Sequence, residues 1–372
     1  MSRADEFDTV VVGGGVVGLS LAYGLARLGE RVQLLDEGDD AYRAARGNFG
    51  LVWVQGKGLG RPDYARWTLQ SAAVWPAFAE ELTQRTGVDL ELSQPGGLIM
   101  CLDDAELGER ADLLNRLRIE LGTDYPFEVL DGDSLRNLIP QTGPSIAGAV
   151  MCPLDGHVSP LRLLRALVHA FTGSGGQLQT GAKVEAIRYH GRGFEIDTAS
   201  STYSSAKLVL AAGLGNRTLA PMVGLNAPVQ PNRGQILVTE RLKPFLRHPT
   251  LHVRQTGEGV IQIGDSKEDV GLNDQTTLTE LSRIAARAVK CFPCLENVNI
   301  VRTWGALRVM SPDGFPIYQG SIECPGAFVV TCHSGITLAP QHAGPLVNWI
   351  RGGAEPDAIH KFKVERFNVQ AH

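Results

Sequence analysis

The sequence predicts an α/β fold: a nucleotide-binding βαβ unit opens the chain, and a second, sheet-rich α+β domain is inserted into it twice. Three observations predict this. An apolar strand pattern at Phe7–Val12 runs through a glycine-rich turn into a helical pattern over Val16–Leu28. Buried-strand character ending in glycine returns near 155–215 and again from Trp304 onward. Between these stretches the chain turns to short strands and charged helices at Asp89–Pro153, and to period-two alternation with turn glycines at Val229–Gly264. The boundaries expected are 1–85, 150–220 and 305–372 for the nucleotide-binding domain, and 86–149 and 221–304 for the second, substrate-binding domain. A chain of 372 residues is too long for one ordinary core.

Taken in order, Arg31–Asp36 reads as the second strand of the opening unit, and Gly29 as the left-handed cap of the helix before it. Tyr64–Leu82 reads as a helix, and Glu91–Met100 as a strand broken by a Pro-Gly-Gly turn. Ser159-Pro160 opens another helix, with serine as N-cap and proline at the first helical position; Gly173-Ser-Gly-Gly closes it. Lys183–Arg188 and Phe194–Thr198 are expected strands, Leu208–Gly213 a buried strand ending in glycine, and Leu278–Cys291 a helix.

Composition narrows the function. Glycine is high, at 43 of 372 residues, without a collagen period or a Ser/Gly tract. Scattered glycines suit a backbone that closes tightly on a ligand. The net charge is −5 and there is no basic run, which argues against nucleic acid. No stretch reaches the ~18 apolar residues of a spanning helix. The first apolar run already belongs to a strand, leaving no room for a signal peptide. Six scattered cysteines form no disulfide framework, so a reducing cytoplasm is expected.

The motif with most weight is Val10-Val-Val-Gly13-Gly-Gly15-Val-Val-Gly18. Here G-x-G-x-x-G follows a strand and opens a helix. Gly13 allows the tight turn, Gly15 the approach of a pyrophosphate, and Gly18 close helix–strand packing. The helix N-terminus offers free N–H groups and partial positive charge to the anion. Asp36 ends the second strand, where a carboxylate accepts from ribose hydroxyls; Glu37 is the competing ribose ligand. The βαβ unit alone leaves NAD and FAD both open.

The rest of the chain decides between them. Phe7–Asp36, Asp155-Gly-His-Val-Ser-Pro160, Lys207-Leu-Val-Leu-Ala-Ala-Gly213, Pro231-Asn-Arg-Gly-Gln235, Trp304-Gly-Ala-Leu-Arg308 through Ser311-Pro-Asp-Gly-Phe-Pro316, and His333-Ser-Gly-Ile-Thr-Leu-Ala-Pro340 occur in one order. In that order they resemble the D-amino acid oxidase (DAO) family of FAD-dependent amine oxidases and dehydrogenases. Val253-Arg-Gln-Thr-Gly and the last motif are most similar to FAD-carrying β subunits of opine oxidases and D-hydroxyproline dehydrogenases.

The resemblance implies a Rossmann-type FAD domain and oxidation of a C–N bond in an amino or imino acid. It implies that Val12, Gly13, Gly15, Val16, Val17 and Asp36 hold the ADP half of FAD. Ala44, Ala45, Arg46, Asn48, Gly50 and Leu51 would pass along pyrophosphate and ring, and Val184 would meet adenine through its backbone. Ala211, Ala212 and Gly213 would lie close to the dinucleotide. Gly335, Ile336, Thr337 and Leu338 would turn a helix N-terminus to the pyrimidine end of the flavin, which gains negative charge on reduction. Arg308 would grip the substrate carboxylate with two parallel hydrogen bonds; the competing reading is an interdomain arginine. His252 and Arg254 would form a pocket wall facing a second carboxylate or the side chain, against the simpler expectation that the strand aims them at solvent. His333 would contact the ring or satisfy nearby backbone. Val309, Met310 and Ser311 precede Pro312 where some relatives place a cysteine, so FAD is expected to be non-covalent, with Cys332 a poorer alternative anchor. Cys291-Phe-Pro-Cys294 lacks the further ligands a metal needs, and Lys267 reads as a solvated turn residue. Relatives imply α and small iron–sulfur γ subunits as partners and FMN at a subunit interface, although no residue of this chain specifies either. The other readings weighed are an NAD-dependent Rossmann dehydrogenase and a flavin-fold subunit inactive without partner chains.

Overall fold

The computed structural model describes residues 6–38, 44–122, 125–264 and 266–367. In chain order the elements are β1 (Glu6–Val12), α1 (Val16–Ala26), β2 (Val32–Leu35), β3 (Leu51–Val52), α2 (Pro62–Thr86), β4 (Gly97–Cys101), α3 (Asp104–Leu121), β5 (Glu128–Asp131), α4 (Gly132–Leu138), β6 (Gly148–Cys152), β7 (Gly156–His157), α5 (Pro160–Gly173) and β8 (Gln177–Gln179). They continue as β9 (Val184–Tyr189), β10 (Phe194–Thr198), β11 (Thr202–Leu210), α6 (Asn216–Leu219), β12 (Gln230–Arg241), β13 (Val253–Gln255), β14 (Val260–Gly264), α7 (Leu278–Cys291), β15 (Ile300–Met310), β16 (Ile317–Gly320), β17 (Ala327–Thr331), α8 (Gly335–Ala343) and α9 (Pro345–Ile350).

The largest sheet runs β16-β17-β11-β1-β2-β8, with the β9–β10 hairpin attached through β10 to β11. Its centre is parallel: Val10 pairs with Leu208 on one side and Gln33 on the other. Strands buried on both faces read as continuous apolar runs, which is why Val10, Val11, Leu34, Leu208 and Val209 are wholly buried. On one face α1, α2, α5 and α8 pack into a single apolar core. On the other, the β9–β10 hairpin and the 219–229 segment cover Val10, Leu208 and Leu210.

Helix α1 is apolar nearly all round, because it lies between the sheet and other helices and buries every residue but Val17. It stops at Ala26, two residues before the expected end, and Gly29 follows with φ +88°. The strand expected to run to Gly213 stops at Leu210, where the chain bends toward Gly13. Ser159 does precede α5, but its side chain caps nothing; its N–H donates to the Leu90 carbonyl (3.0 Å) while Pro160 takes the first turn.

The second set of sheets is antiparallel. Four strands run β13-β14-β12-β15, and three run β4-β6-β5. Leu237, Val253, Ile261 and Ile263 project from one face of the four-stranded sheet into a core with Ile284 and Ala288 of α7. Two expected domain limits fall within strands: 149/150 inside β6 and 304/305 inside β15. Both strands lie wholly within the antiparallel sheets. Among the described residues no helix is long and apolar enough to cross a membrane.

Candidate active site

A cavity of about 810 Å³ opens at the carboxyl ends of β1 and β11, the place where open α/β sheets bind ligands. Its floor is the Gly13–Val17 turn. A Cβ on Gly18 would stand 1.9 Å from the Gly13 carbonyl, so only glycine lets α1 start this close to the strand. A Cβ on Gly15 would meet nothing nearer than 3.9 Å; this glycine faces open space. No acidic side chain occupies the first turn of α1, so its N–H groups and dipole stay available to an anion. The Asp36 carboxylate accepts from the Gly14 N–H (2.6 Å) and the Gly38 N–H (2.9 Å). That pair of bonds fixes the carboxylate at the rim.

Most of the residues expected on FAD line this cavity: Val12, Gly13, Gly15, Val16, Val17, Asp36, Glu37, Ala44, Ala45, Arg46, Asn48, Val184, Ala211, Ala212, Gly213, Gly335 and Ile336. Gly50, Leu51, Thr337 and Leu338 do not. Gly50 turns with φ +88°, and Leu51 then pairs with His157 in the β3–β7 ribbon. Leu338 is wholly buried. Thr337 belongs to the interior: its hydroxyl accepts from the Trp53 N–H (3.1 Å), and its carbonyl accepts from Ser71 Oγ (2.6 Å) and Trp75 Nε1 (3.0 Å). Only the first turn of α8 reaches the cavity, since the next turn packs against α2.

Cys332 and His333 line the far end of the cavity. Burial pushes the Cys332 thiol up to about 12. Burial, with the charges of Lys57, Arg308 and Lys267, pulls His333 down to about 3, so its ring is neutral. The Arg308 charge is therefore close to the cavity end, although Arg308 is not in the lining.

The four-stranded sheet explains how. Alternation puts Leu237, Val253, Ile261 and Ile263 on the α7 face and their neighbours on the other. The register Arg254↔Gln262, Ile236↔Trp304 and Asn232↔Arg308 then places His252, Arg254, Trp304 and Arg308 on one common face. This face meets the 47–50 segment beside the cavity: Trp304 Nε1 donates to the Gly47 carbonyl (3.1 Å), and Arg254 lies over the Phe49 ring at 5.8 Å. Arg308 Nη1 donates to Ser266 O (2.8 Å) and Asn232 Oδ1 (3.2 Å). Arg254 is buried rather than aimed at solvent. Lys267 is exposed, as a turn residue should be. Cys291 is buried at the end of α7 while Cys294 is exposed in the turn after it.

Sequence reasoning missed Lys57. It sits among Gly56, Gly58 and Gly60, with φ of +71°, +87° and +69°, in a loop tight enough that a Cβ on Gly58 would lie 2.4 Å from the Ala65 nitrogen. Lys57 Nζ bonds Ser334 Oγ, which also accepts from Tyr64 Oη (2.9 Å) at the start of α8. Burial pulls the Lys57 ammonium down to about 8. Nearby, Asp155 is wholly buried; Oδ1 accepts from the Val54 N–H (2.5 Å), and burial pushes its carboxyl up to about 7. A lysine between alternating glycines after an apolar run was the available signal for this cluster.

A glycine-cradled cavity at the carboxyl ends of β1 and β11, bordered by a sheet face that carries Arg254 and Arg308, marks an α/β protein built to hold a dinucleotide. Comparison narrows the class. Residues 8–349 match the DAO family, described as FAD dependent oxidoreductases. An opine oxidase subunit from Agrobacterium tumefaciens (strain Ach5) is 40% identical over 366 residues, covering 98% of this chain and 99% of that one. Glycine oxidase of Geobacillus kaustophilus is 27% identical, covering 90% of each chain. The crystal structure of glycine oxidase from that organism superposes with a TM-score of 0.89, at 26% identity, over 98% of this chain and 99% of that one. The chain belongs to the DAO family of FAD-dependent oxidoreductases, and FAD is its cofactor.

Proposed function

We propose that this protein oxidises the C–N bond of an amino acid, imino acid or secondary amine, in the manner of the opine and glycine oxidases it resembles. The observation that carries the reading is the glycine-cradled cavity that ends at Cys332 and His333 beside the sheet face bearing Arg308. The cavity-lining residues named above would hold FAD: the Gly13–Val17 turn and the N-terminus of α1 at the pyrophosphate, Asp36 at the adenosine ribose, Val184 at the adenine, and the first turn of α8 at the ring. Bound FAD supplies a two-electron acceptor that takes a hydride at N5.

The chain's own residues bind and orient. Arg308 fixes the substrate carboxylate, aiming the Cα–H at the ring. The buried chamber disfavours an ammonium ion, so the substrate amine sheds its proton and its lone pair drives hydride departure. The resulting imine is released or hydrolysed by water. No side chain is required as a general base, and His333, held neutral, adds no positive charge beside the amine.

The test is the visible spectrum of the purified chain loaded with FAD, followed anaerobically while opines, D-hydroxyproline, D-amino acids and sarcosine are added. Bleaching of the flavin bands by one class fixes the substrate. Arg308→Ala should keep FAD and raise KM about 10- to 100-fold, a net loss of roughly 1.5–3 kcal/mol of charge-assisted binding. Unchanged kinetics would remove Arg308 from this role.

A second reading has its own support. Two of the relatives carry the word subunit in their names: the opine oxidase chain, and hydrogen cyanide synthase subunit HcnC of Pseudomonas aeruginosa, which is 29% identical. On this reading the chain needs partner chains, such as α and iron–sulfur γ subunits with FMN between them, before it turns over. Flavin that binds but is bleached by no amine until partners are added would favour it.

A further inference from the structure

The segment 267–277 leads from β14 toward α7, and none of its residues is buried. No apolar core keeps it in place; polar bonds at its two ends do. Arg233 of β12, from the Pro231–Gln235 motif, is 2% exposed. Its Nη2 (2.6 Å) and Nε (3.3 Å) donate to the Glu268 carboxylate, and its Nη1 donates to the Gln275 carbonyl (2.6 Å). Gln235 adds a second grip: Nε2 donates to Glu268 Oε1 (2.8 Å), and Oε1 accepts from the Thr277 N–H (2.9 Å). Between these grips the Asp274 carbonyl lies against β15, where a Cβ on Gly305 would stand 2.2 Å from it.

The turn so held, with Gly271 at φ +62°, stands at the dinucleotide cavity. Gly271, Leu272 and Asp274 line it, beside Pro231 of β12 and Leu307 and Val309 of β15. Leu272 is nonetheless 73% exposed. An apolar side chain that lines a cavity and also faces water stands at its mouth. A lone exposed leucine on a turn is ordinary. This one differs in that its turn is fixed by an ion pair whose arginine is buried, with side-chain exposures of 3% for Arg233 and 19% for Glu268. Taking such charges out of water is costly, and the pair is a poor source of stability. What the pair does supply is a fixed position for a segment that fills no core.

We propose that Leu272 closes over FAD at the cavity mouth, so that the four-stranded sheet contributes a cofactor-binding wall that Arg233 holds in place. Leu272 loses its exposure as the dinucleotide enters, and that burial acts mainly on the rate at which FAD leaves. Arg233 is a positioning residue: it touches the segment, and the segment touches the cofactor. The inference rests on the reading that FAD fills this cavity, and it requires no particular substrate.

The experiment follows release of FAD from the loaded chain by the change in flavin fluorescence after dilution. Leu272→Ser should release FAD about fivefold faster or more, since part of a leucine's burial is lost. Leu272→Met keeps the apolar bulk and should release at the parent's rate. Leu278→Ser is the matched control: Leu278 is 81% exposed at the start of α7 and outside the cavity lining, so its change should leave release as it was. Arg233→Lys keeps a charge for Glu268 but gives up the fork that also holds the Gln275 carbonyl, and should speed release to a similar degree. Adding Leu272→Ser to it should bring little more, because both changes undo one contact. Parent-rate release by Leu272→Ser, equal acceleration by Leu278→Ser, or full additivity with Arg233→Lys would overturn the proposal. So would a Leu272→Ser chain that keeps FAD at the parent's rate and loses self-association, which would assign the leucine to a second copy. A parent chain that retains no FAD would sink the cavity reading itself; a parent that holds FAD while Leu272→Ser changes nothing would sink only the closure by Leu272.

Discussion

At the scale of single residues, the site depends on charges held where solvent does not screen them. Asp155 is the clearest case. Its carboxyl is raised to about 7 from an ordinary 3.8, chiefly by burial. A raised acid contributes full stability below its unfolded pKa and loses it as pH climbs through the folded one. Thermal stability should therefore fall between about pH 4 and pH 7, and remain lower above that. Asp155→Asn keeps an acceptor for the Val54 N–H and removes the ionisation. Melting curves should show the variant flatter across this window and more stable than the parent at pH 8; an unchanged slope would place the titration elsewhere. Asp36 accepts from the Gly14 and Gly38 N–H groups at the cavity rim, where it would meet the ribose of FAD. Asp36→Ala frees the Gly14 and Gly38 N–H groups, and FAD fluorescence titration should show affinity at least tenfold weaker with the fold intact.

At the scale of elements, α1 and α8 pack so closely that their contact admits no added side chain. A Cβ on Gly24 would come within 2.4 Å of the Ala343 carbonyl and 2.6 Å of Val347 Cγ2. Gly24→Val should push the helices apart and cost roughly 1–3 kcal/mol of overpacking, measured by urea denaturation, with FAD retention falling alongside. The same change at Gly29, which meets nothing within 4 Å, should strain only its φ of +88° and leave FAD binding near wild type. Strand alternation is the second lesson at this scale. Val253, Ile261 and Ile263 are legible as one buried face, and the opposite face then follows by parity. What parity cannot say is whether that second face meets water or another part of the chain. Arg254 and Trp304 are turned inward because the 47–50 segment, some two hundred residues away in sequence, covers them.

At the scale of the whole molecule, FAD held in the cavity at the ends of β1 and β11 would couple distant segments. FAD at a hundred times its Kd should raise stability by about 2.7 kcal/mol; removal of FAD should lower Tm accordingly, and a Tm indifferent to FAD would deny the cavity its ligand. The sequence by itself determined the nucleotide-binding unit and its place in the family, because that unit is local. Strand, glycine turn, helix and acid all lie within residues 7–36, and Gly18 is demanded by its contact with the Gly13 carbonyl. It also pointed to residues of the 12–17, 44–48 and 211–213 segments that line the cavity. Only the tertiary structure decided the rest. Thr337 and Leu338 belong to the interior because α2 packs over the second turn of α8. Lys57, Asp155 and Ser334 form one buried polar cluster although almost three hundred residues separate its ends. Arg254 is buried over the Phe49 ring with no ion-pair partner among the described residues. These outcomes depend on which surfaces the folded chain brings together, and pairwise burial across such separations leaves no periodic trace in a single sequence.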